Sequence, residues 1–188
     1  SLRAQSHEFM NRLHVILGMV QLKSYDELSV FIRTLVNYQN QEFGHITKHI
    51  KDPALAGFIM GKLSYAREEN VEFSFECKNV IPEPKDPKFT QDLITILGNL
   101  IDNAIEALSD TEEKTLEVIF NYVDKFLTIE VLDSGPGMTE ELHKKVFEKG
   151  FSTKGENRGY GLYLVANSIK KLSGELIIDS KLLLGTEF

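Results

Sequence analysis

The chain has 188 residues, of which 42% are hydrophobic and 26% charged, with 21 basic and 28 acidic side chains and a net charge of −7. This is ordinary soluble globular composition, enough for a real core in one medium domain or two small ones. The acidic balance argues against non-specific nucleic-acid binding, which needs a phosphate-neutralising surface, and the single Cys77 excludes an internal disulfide and a cysteine-based zinc site. No apolar run approaches the ~18–20 residues of a bilayer span, and no secretory signal is visible. The chain starts inside a helical pattern without an initiator methionine and stops at GTEF, so an excised piece of a longer protein is expected.

Residues 1–23 carry a helical stripe. Phe9, Leu13, Ile16 and Val20 are spaced four, three and four apart, which keeps them in one narrow sector at ~100° per residue. With His7 at the origin of the wheel, that stripe falls at roughly 180–240°, while Asn11 (~40°) and His14 (~340°) share the histidine's face and Glu8 sits beside it at ~100°. His7 therefore points away from the apolar stripe. A zinc site would need more ligands than His7 and His14. An exposed imidazole beside a carboxylate has a second use, base-assisted nucleophilic attack, with Glu8 orienting or deprotonating the ring.

Ser24 is a candidate N-cap after the break at Lys23–Asp26. A second amphipathic segment is predicted over about 26–50, through Leu28, Ile32, Leu35, Phe43, Ile46 and Ile50. Two long helices with a short connection predict an antiparallel hairpin. Alone it makes a poor core, so it is completed either by a second copy, as a dimeric four-helix bundle, or by the rest of the chain. His45 and His49 lack a third metal ligand and read as surface. Pro53 opens a helix predicted over about 53–69, which proline at the first turn permits. Gly57 and Gly61 inside it suggest close packing or a soft joint.

Composition then changes. VEFSFEC (71–77) alternates like a strand, IPEPKDPK (81–88) is a connector, and 89–108 returns to helix. The stretches 115–122 and 126–133 read as paired strands, with DTEEK (110–114) a solvated turn before them. A short helix is expected at 138–146, a longer one at 159–172, and strands at 174–180 and from Gly185. The sum is an all-α hairpin over 1–52 followed by an α+β domain over 53–188, with helices on one face of a mixed sheet.

Within that domain, NLIDNAIEA (99–107) puts Asn99 and Asn103 on one side of an otherwise apolar helix. Amides there need partners, either neighbouring backbone or a polar ligand such as a metal-bound phosphate. DSGPGM (133–138) places a carboxylate at a strand end before two glycines that allow close backbone approach. Gly155, Gly159 and Gly161 allow a mobile segment, and Gly159–Gly161 lead into a helix whose free N–H groups suit an anion, with Lys154 and Arg158 beside them. The pattern is neither a Walker A loop nor a dinucleotide fingerprint.

Asn99 and Asn103, then Asp133, Gly135 and Gly137, then Phe147–Phe151, then Gly159–Gly161, then Gly185–Thr186 follow one another as the ATP-binding motifs of sensor histidine kinases and their ATPase superfamily do. The resemblance spans about 88–188. With SHEFMN (6–11) in front, the whole chain resembles the kinase core of two-component sensors, closest to the citrate and C4-dicarboxylate subgroup through its proline-free SHEFMNRLHVILGM. The resemblance implies ATP and Mg²⁺ as cofactors, with Asn103 holding the metal and Asn99 supporting it. Asp133 would accept the adenine amino hydrogen, Gly135 and Gly137 line the base pocket, and Thr186 help the adenine end. Residues 138–158 would be the lid, with Lys154 and Arg158 as lid cations, Phe147 and Phe151 as its anchors and His143 incidental. Gly159 and Gly161 would meet phosphate oxygens. Glu106 departs from relatives that carry a basic residue there.

The same resemblance makes His7 the phosphoacceptor, Glu8 its helper and Asn11 the residue that positions water for phosphatase action. It implies a homodimer through the hairpin, an aspartate-bearing response-regulator receiver domain as partner, and no nucleic acid. The full protein is expected to be a bacterial inner-membrane sensor, of which this is a soluble cytoplasmic portion. Competing expectations are a phosphorelay phosphotransferase or scaffold with a degenerate ATP-like domain, and another ATPase of the superfamily.

Overall fold

The computed structural model describes residues 2–36, 41–146, 160–181 and 185–188, and the side chains among them except those of 2–9, 35, 36, 41, 42, 143, 144 and 181. The chain divides into two compact units, Ser1–Gln41 and Glu42–Phe188.

The first unit holds α1 (Leu2–Gln21) and α2 (Tyr25–Val36), which pack on each other. α1 ends in a Schellman turn: Ser24 N–H donates to the Met19 carbonyl at 2.9 Å and Lys23 N–H to that of Val20 at 3.0 Å, with Lys23 at φ 57°. The Ser24 carbonyl then accepts from Leu28 and starts α2, where the sequence put the cap. Much of the apolar surface of this unit stays open. Leu13 and Val20 of the predicted stripe are 41% and 43% exposed, and Met10, Leu17, Val30 and Ile32 are exposed as well.

Within the segment expected as one helix over 26–50, the described residues form α2 and α3 (Gln41–His49), and 37–40 between them lie outside the described residues. Phe43, Ile46 and Ile50, which the sequence reading gave to the hairpin, are buried in the core of the second unit. Periodicity identifies an apolar face but not what covers it. Here the cover is the second unit, and Ile50 and Ile81 are joined by a backbone bridge.

Asp52 caps α4 (Pro53–Glu68), its carboxylate accepting from Ala54 N–H at 2.9 Å and Leu55 N–H at 3.2 Å, with proline at the first turn. The buried Thr90 hydroxyl donates to the same carboxylate and ties α4 to α5 (Pro87–Ala107). The mixed sheet runs β1-β2-β3-β5-β4: β1 (Glu72–Cys77) is parallel to β2 (Thr115–Val123), and β3 (Phe126–Asp133), β5 (Gly185–Glu187) and β4 (Asp179–Lys181) follow antiparallel. β2 alternates as a strand with one covered face: Leu116, Val118 and Phe120 are buried, and the residues between them are not. α4 packs on β1 and α5 on β3, and α7 (Gly161–Lys171) lies against α5. This is the α+β arrangement expected. The strand predicted over 174–180 shortens to β4, and Ile177 is 71% exposed. The short helix near 138–146 is α6 (Glu140–Lys145).

Candidate functional site

The site begins on α5. Leu93, Ile96, Leu97, Leu100, Ile101, Ala104 and Ile105 are buried and fix the rotation of the helix. That leaves Asn99 and Asn103 half-buried on its flank. One end of the Asn99 amide takes the backbone alternative, and the other is turned toward α7. Nδ2 donates to the Thr95 carbonyl at 2.7 Å. Oδ1 faces the start of α7, where a Cβ built on Gly161 would lie 2.9 Å from it and 3.8 Å from Asn103 Oδ1. Gly161 therefore brings the first turn of α7 against two amide oxygens. That approach is held from the far end of α7: the buried Ser168 hydroxyl donates to Asp92 Oδ1 at 3.0 Å, and Lys171 Nζ stands 3.7 Å from the same oxygen.

The second wall is the end of β3. Asp133 pairs across the sheet with Thr186 of β5. Burial pushes its carboxyl above the ordinary range, while hydrogen bonds from the backbone of Gly135 and Thr186 pull the other way. Gly135 N–H donates to Asp133 Oδ1 at 2.9 Å, and a Cβ on Gly135 would sit 2.6 Å from that oxygen and 3.3 Å from Ala107 Cβ. Gly137 adopts φ 65°, a turn that favours glycine. Gly185 is tighter still, with φ 91° and a hypothetical Cβ 1.9 Å from the Asp133 carbonyl oxygen. The result is a half-buried carboxylate at a strand end with glycine backbone packed close around it.

Asn99, Asn103, Asp133, Gly135, Gly137, Gly161 and Thr186 thus all belong to the second unit, and Asp133, Gly135 and Thr186 form one hydrogen-bonded group. His143 (as a side chain), Phe147, Phe151, Lys154, Arg158 and Gly159 lie outside the described residues, as do the side chains of His7 and Glu8 on α1. Asn11 and His14 are exposed on α1. His45 and His49 stack with ring centroids 4.1 Å apart, and His49 Nδ1 lies 2.9 Å from the His45 carbonyl. Among the described residues no group of three or more His, Cys, Asp and Glu side chains is placed to hold a metal. Gly57 and Gly61 are not close-packed, since a Cβ on either meets nothing within 4 Å.

Two serines were missed. Ser134 Oγ accepts from Thr115 N–H at 3.0 Å and donates to the Glu113 carbonyl at 3.1 Å, which anchors the turn after Asp133. Ser180 on β4 contacts Met138, Gly185 and Thr186. Neither carries a sequence signal, because serine is common and the contacts with Thr115 and Glu113 for Ser134, and with Met138 for Ser180, come from residues remote in sequence.

Residues 90–188 match the family of histidine kinase-, DNA gyrase B- and HSP90-like ATPases, and residues 1–48 match the alpha-helical domain of SpoOB-type sensor kinases. The sensor histidine kinase DcuS of Escherichia coli is 38% identical over the whole chain, which covers 35% of that protein. The sensor protein CitS of Bacillus subtilis is 40% identical over 92% of the chain, covering 32% of its own length. The chain therefore spans about a third of the length of these curated relatives. Among solved structures, the catalytic domain of the histidine kinase ThkA superposes with a TM-score of 0.58 at 26% identity, covering 72% of this chain and 86% of that one.

Proposed function

The chain belongs to the histidine kinase-, DNA gyrase B- and HSP90-like ATPases, as a histidine-kinase catalytic core related to the DcuS- and CitS-type sensor kinases, and on that premise we propose that it phosphorylates His7 from ATP and passes the phosphoryl group to an aspartate of a response regulator. One observation carries the nucleotide part: the partly buried Asp133 carboxylate, with Gly135 pressed against it and Gly185 against the Asp133 backbone carbonyl, lies in the same unit as two asparagines that face the first turn of α7.

In this reading Asp133 accepts the amino hydrogen of adenine, Gly135 and Gly137 leave room for the ring, and Thr186 supports that end. Gly159 and Gly161 offer backbone N–H groups to phosphate oxygens, with Lys154 and Arg158 as lid cations. Asn103 fits Mg²⁺, because an amide oxygen is a hard donor of the kind that ion takes and Asn103 Oδ1 faces the α7 turn. When bound, the ion neutralises charge across the phosphates. Asn99 supports from one turn back, its orientation set by the bond to Thr95.

At the other reactant, a neutral ring nitrogen of His7 forms a bond to the γ-phosphorus. The bond to the bridging oxygen breaks, ADP leaves, and Glu8 takes the proton from the ring's other nitrogen. Transfer of this kind is mostly positioning, so delivery of the triphosphate to α1 is the governing event. Asn11, one turn on and exposed, would hold water in line for hydrolysis of the partner's aspartyl phosphate.

Of the division expected at 1–52 and 53–188, we assign the dimerisation and phosphotransfer role to the helices of the first unit, Ser1–Gln41, and the nucleotide role to Glu42–Phe188, since Phe43, Ile46 and Ile50 pack in the second unit. The half-exposed Leu13 and Val20, with Met10, Leu17 and Ile32, suit burial against a second copy. Among the described residues no helix is long and apolar enough to cross a membrane. We place the anchor and sensor in the remainder of a longer bacterial protein, with this piece on its cytoplasmic side and no role in nucleic-acid binding.

Incubation with γ-labelled ATP and Mg²⁺ tests the reading. The label should be acid-labile and alkali-stable, and it should vanish in His7→Gln and in Asn103→Asp. Robust labelling of His7→Gln would sink the assignment.

A further inference from the structure

Three strands line up a row of polar side chains. Asp133 on β3 pairs with Thr186 on β5, and Thr186 pairs with Ser180 on β4. Residues directly opposed in antiparallel strands project to one face of the sheet. Ser180 Oγ has three partners there: the Met138 N–H at 2.8 Å, the Gly185 carbonyl at 3.1 Å and Thr186 Oγ1 at 3.0 Å.

A hydroxyl carries one hydrogen and two lone pairs. The Gly185 carbonyl only accepts, so Ser180 gives it its single hydrogen. The Met138 N–H only donates, so it occupies one Ser180 lone pair. The third contact then has one solution, with the Thr186 hydroxyl donating to the remaining lone pair. Ser180 is saturated, and Thr186 Oγ1 is left with lone pairs alone. The neighbouring Asp133 already accepts from the Gly135 N–H through Oδ1. Toward anything bound beside them, ionised Asp133 and Thr186 Oγ1 are both acceptors.

We propose that Ser180 is a positioning residue for base selection: by drawing the Thr186 hydroxyl hydrogen to itself, it makes the pocket favour a purine nucleotide with an exocyclic amino group over one with an oxo group in its place. The inference rests on the reading that the Asp133 pocket takes the nucleotide base. Without Ser180 the Thr186 hydroxyl is free to rotate and donate, and an oxo purine is accommodated.

The measurement is displacement of a fluorescent ATP analogue by ATP and by inosine triphosphate, which carries the oxo group. The unmodified chain should prefer ATP. Ser180→Ala should narrow the ratio of the two affinities by about 3- to 10-fold, the worth of one hydrogen bond. Ser180→Thr keeps a hydroxyl and should restore the ratio. In a Thr186→Val background, Ser180→Ala should leave the ratio where Thr186→Val puts it, since the group under control is gone. Equal weakening of both nucleotides by Ser180→Ala, with the ratio intact, would overturn the proposal and reduce Ser180 to a strand tie. So would a ratio change that persists in the Thr186→Val background. If no nucleotide displaces the analogue from the unmodified chain, the nucleotide reading fails first and takes this inference with it.

Discussion

Replacing Gly185 with alanine places a methyl group 1.9 Å from the Asp133 carbonyl oxygen and 3.0 Å from its carbon, at a φ of +91°. Both neighbours are backbone of β3, so no side-chain rotation relieves the overlap. The left-handed φ alone costs an L-residue on the order of 1–2 kcal/mol. Relief requires β5 to withdraw from β3. That gives up the two hydrogen bonds between Val131 and Phe188, each 3.0 Å long. At ~1 kcal/mol net for each bond, the combined destabilisation is about 3–4 kcal/mol, a large share of the ~5–15 kcal/mol typical of a domain. Urea unfolding read by circular dichroism should show the midpoint of the second unit falling accordingly with an unchanged slope. Nucleotide binding should be lost as well, because Thr186 and Ser180 ride on the same edge. A Gly185→Ala chain that unfolds within ~1 kcal/mol of the parent and still binds ATP would refute the reasoning, since the strand edge would then have absorbed the methyl group cheaply.

Gly57 and Gly61 should behave in the opposite way. Both lie on exposed positions of α4 with open space at the Cβ, so the double alanine variant should gain ~1–2 kcal/mol in a thermal melt. Its labelling rate should be unchanged, because Leu55, Ile59 and Leu63 lock α4 into the core; a slower rate despite the gain would establish a joint there. For Asp133 the sign follows from burial. Its folded carboxyl titrates above the 3.8 ordinary for an aspartate, so the native state holds the proton longer than the unfolded chain. The stability this gives is fully present below 3.8 and is lost as pH rises through the folded value. Asp133→Asn should therefore raise the melting temperature of the nucleotide-free chain at neutral pH while abolishing ATP binding. In the parent, ATP affinity should fall on acidification before an ordinary carboxylate would protonate. A variant no more stable at neutral pH, measured by pH-dependent melts, would count against a desolvated Asp133.

Much of the second unit was legible in the chain itself, for reasons of local chemistry. Pro53 opens a helix because the first turn has no use for its missing N–H, whereas Pro87, read as part of a connector, opens α5, and Asp52 and Asp86 cap the two helices. Asn99 and Asn103 had to share a flank because they are four apart within an apolar helix. Asp133 had to end a strand because glycine and proline follow it. The same residues carried the family resemblance.

Other features depended on contacts between segments distant in sequence. Phe43, Ile46 and Ile50 are as amphipathic as a hairpin helix, and only packing assigns them to the second unit. The strand expected over 174–180 contracts to β4, the three residues that pair with β5. Strand order puts β5 and β4 beside β3, and with that order Gly185 becomes irreplaceable and Ser180 reaches Met138 and Thr186 at once. What the sequence determined by itself is what short-range geometry controls: helix faces, caps, turns and the kinds of chemical group available. What only the tertiary structure decided is which of those groups meet, because a glycine's tolerance for a methyl group and a hydroxyl's choice of donor or acceptor are set by neighbours that no local pattern names.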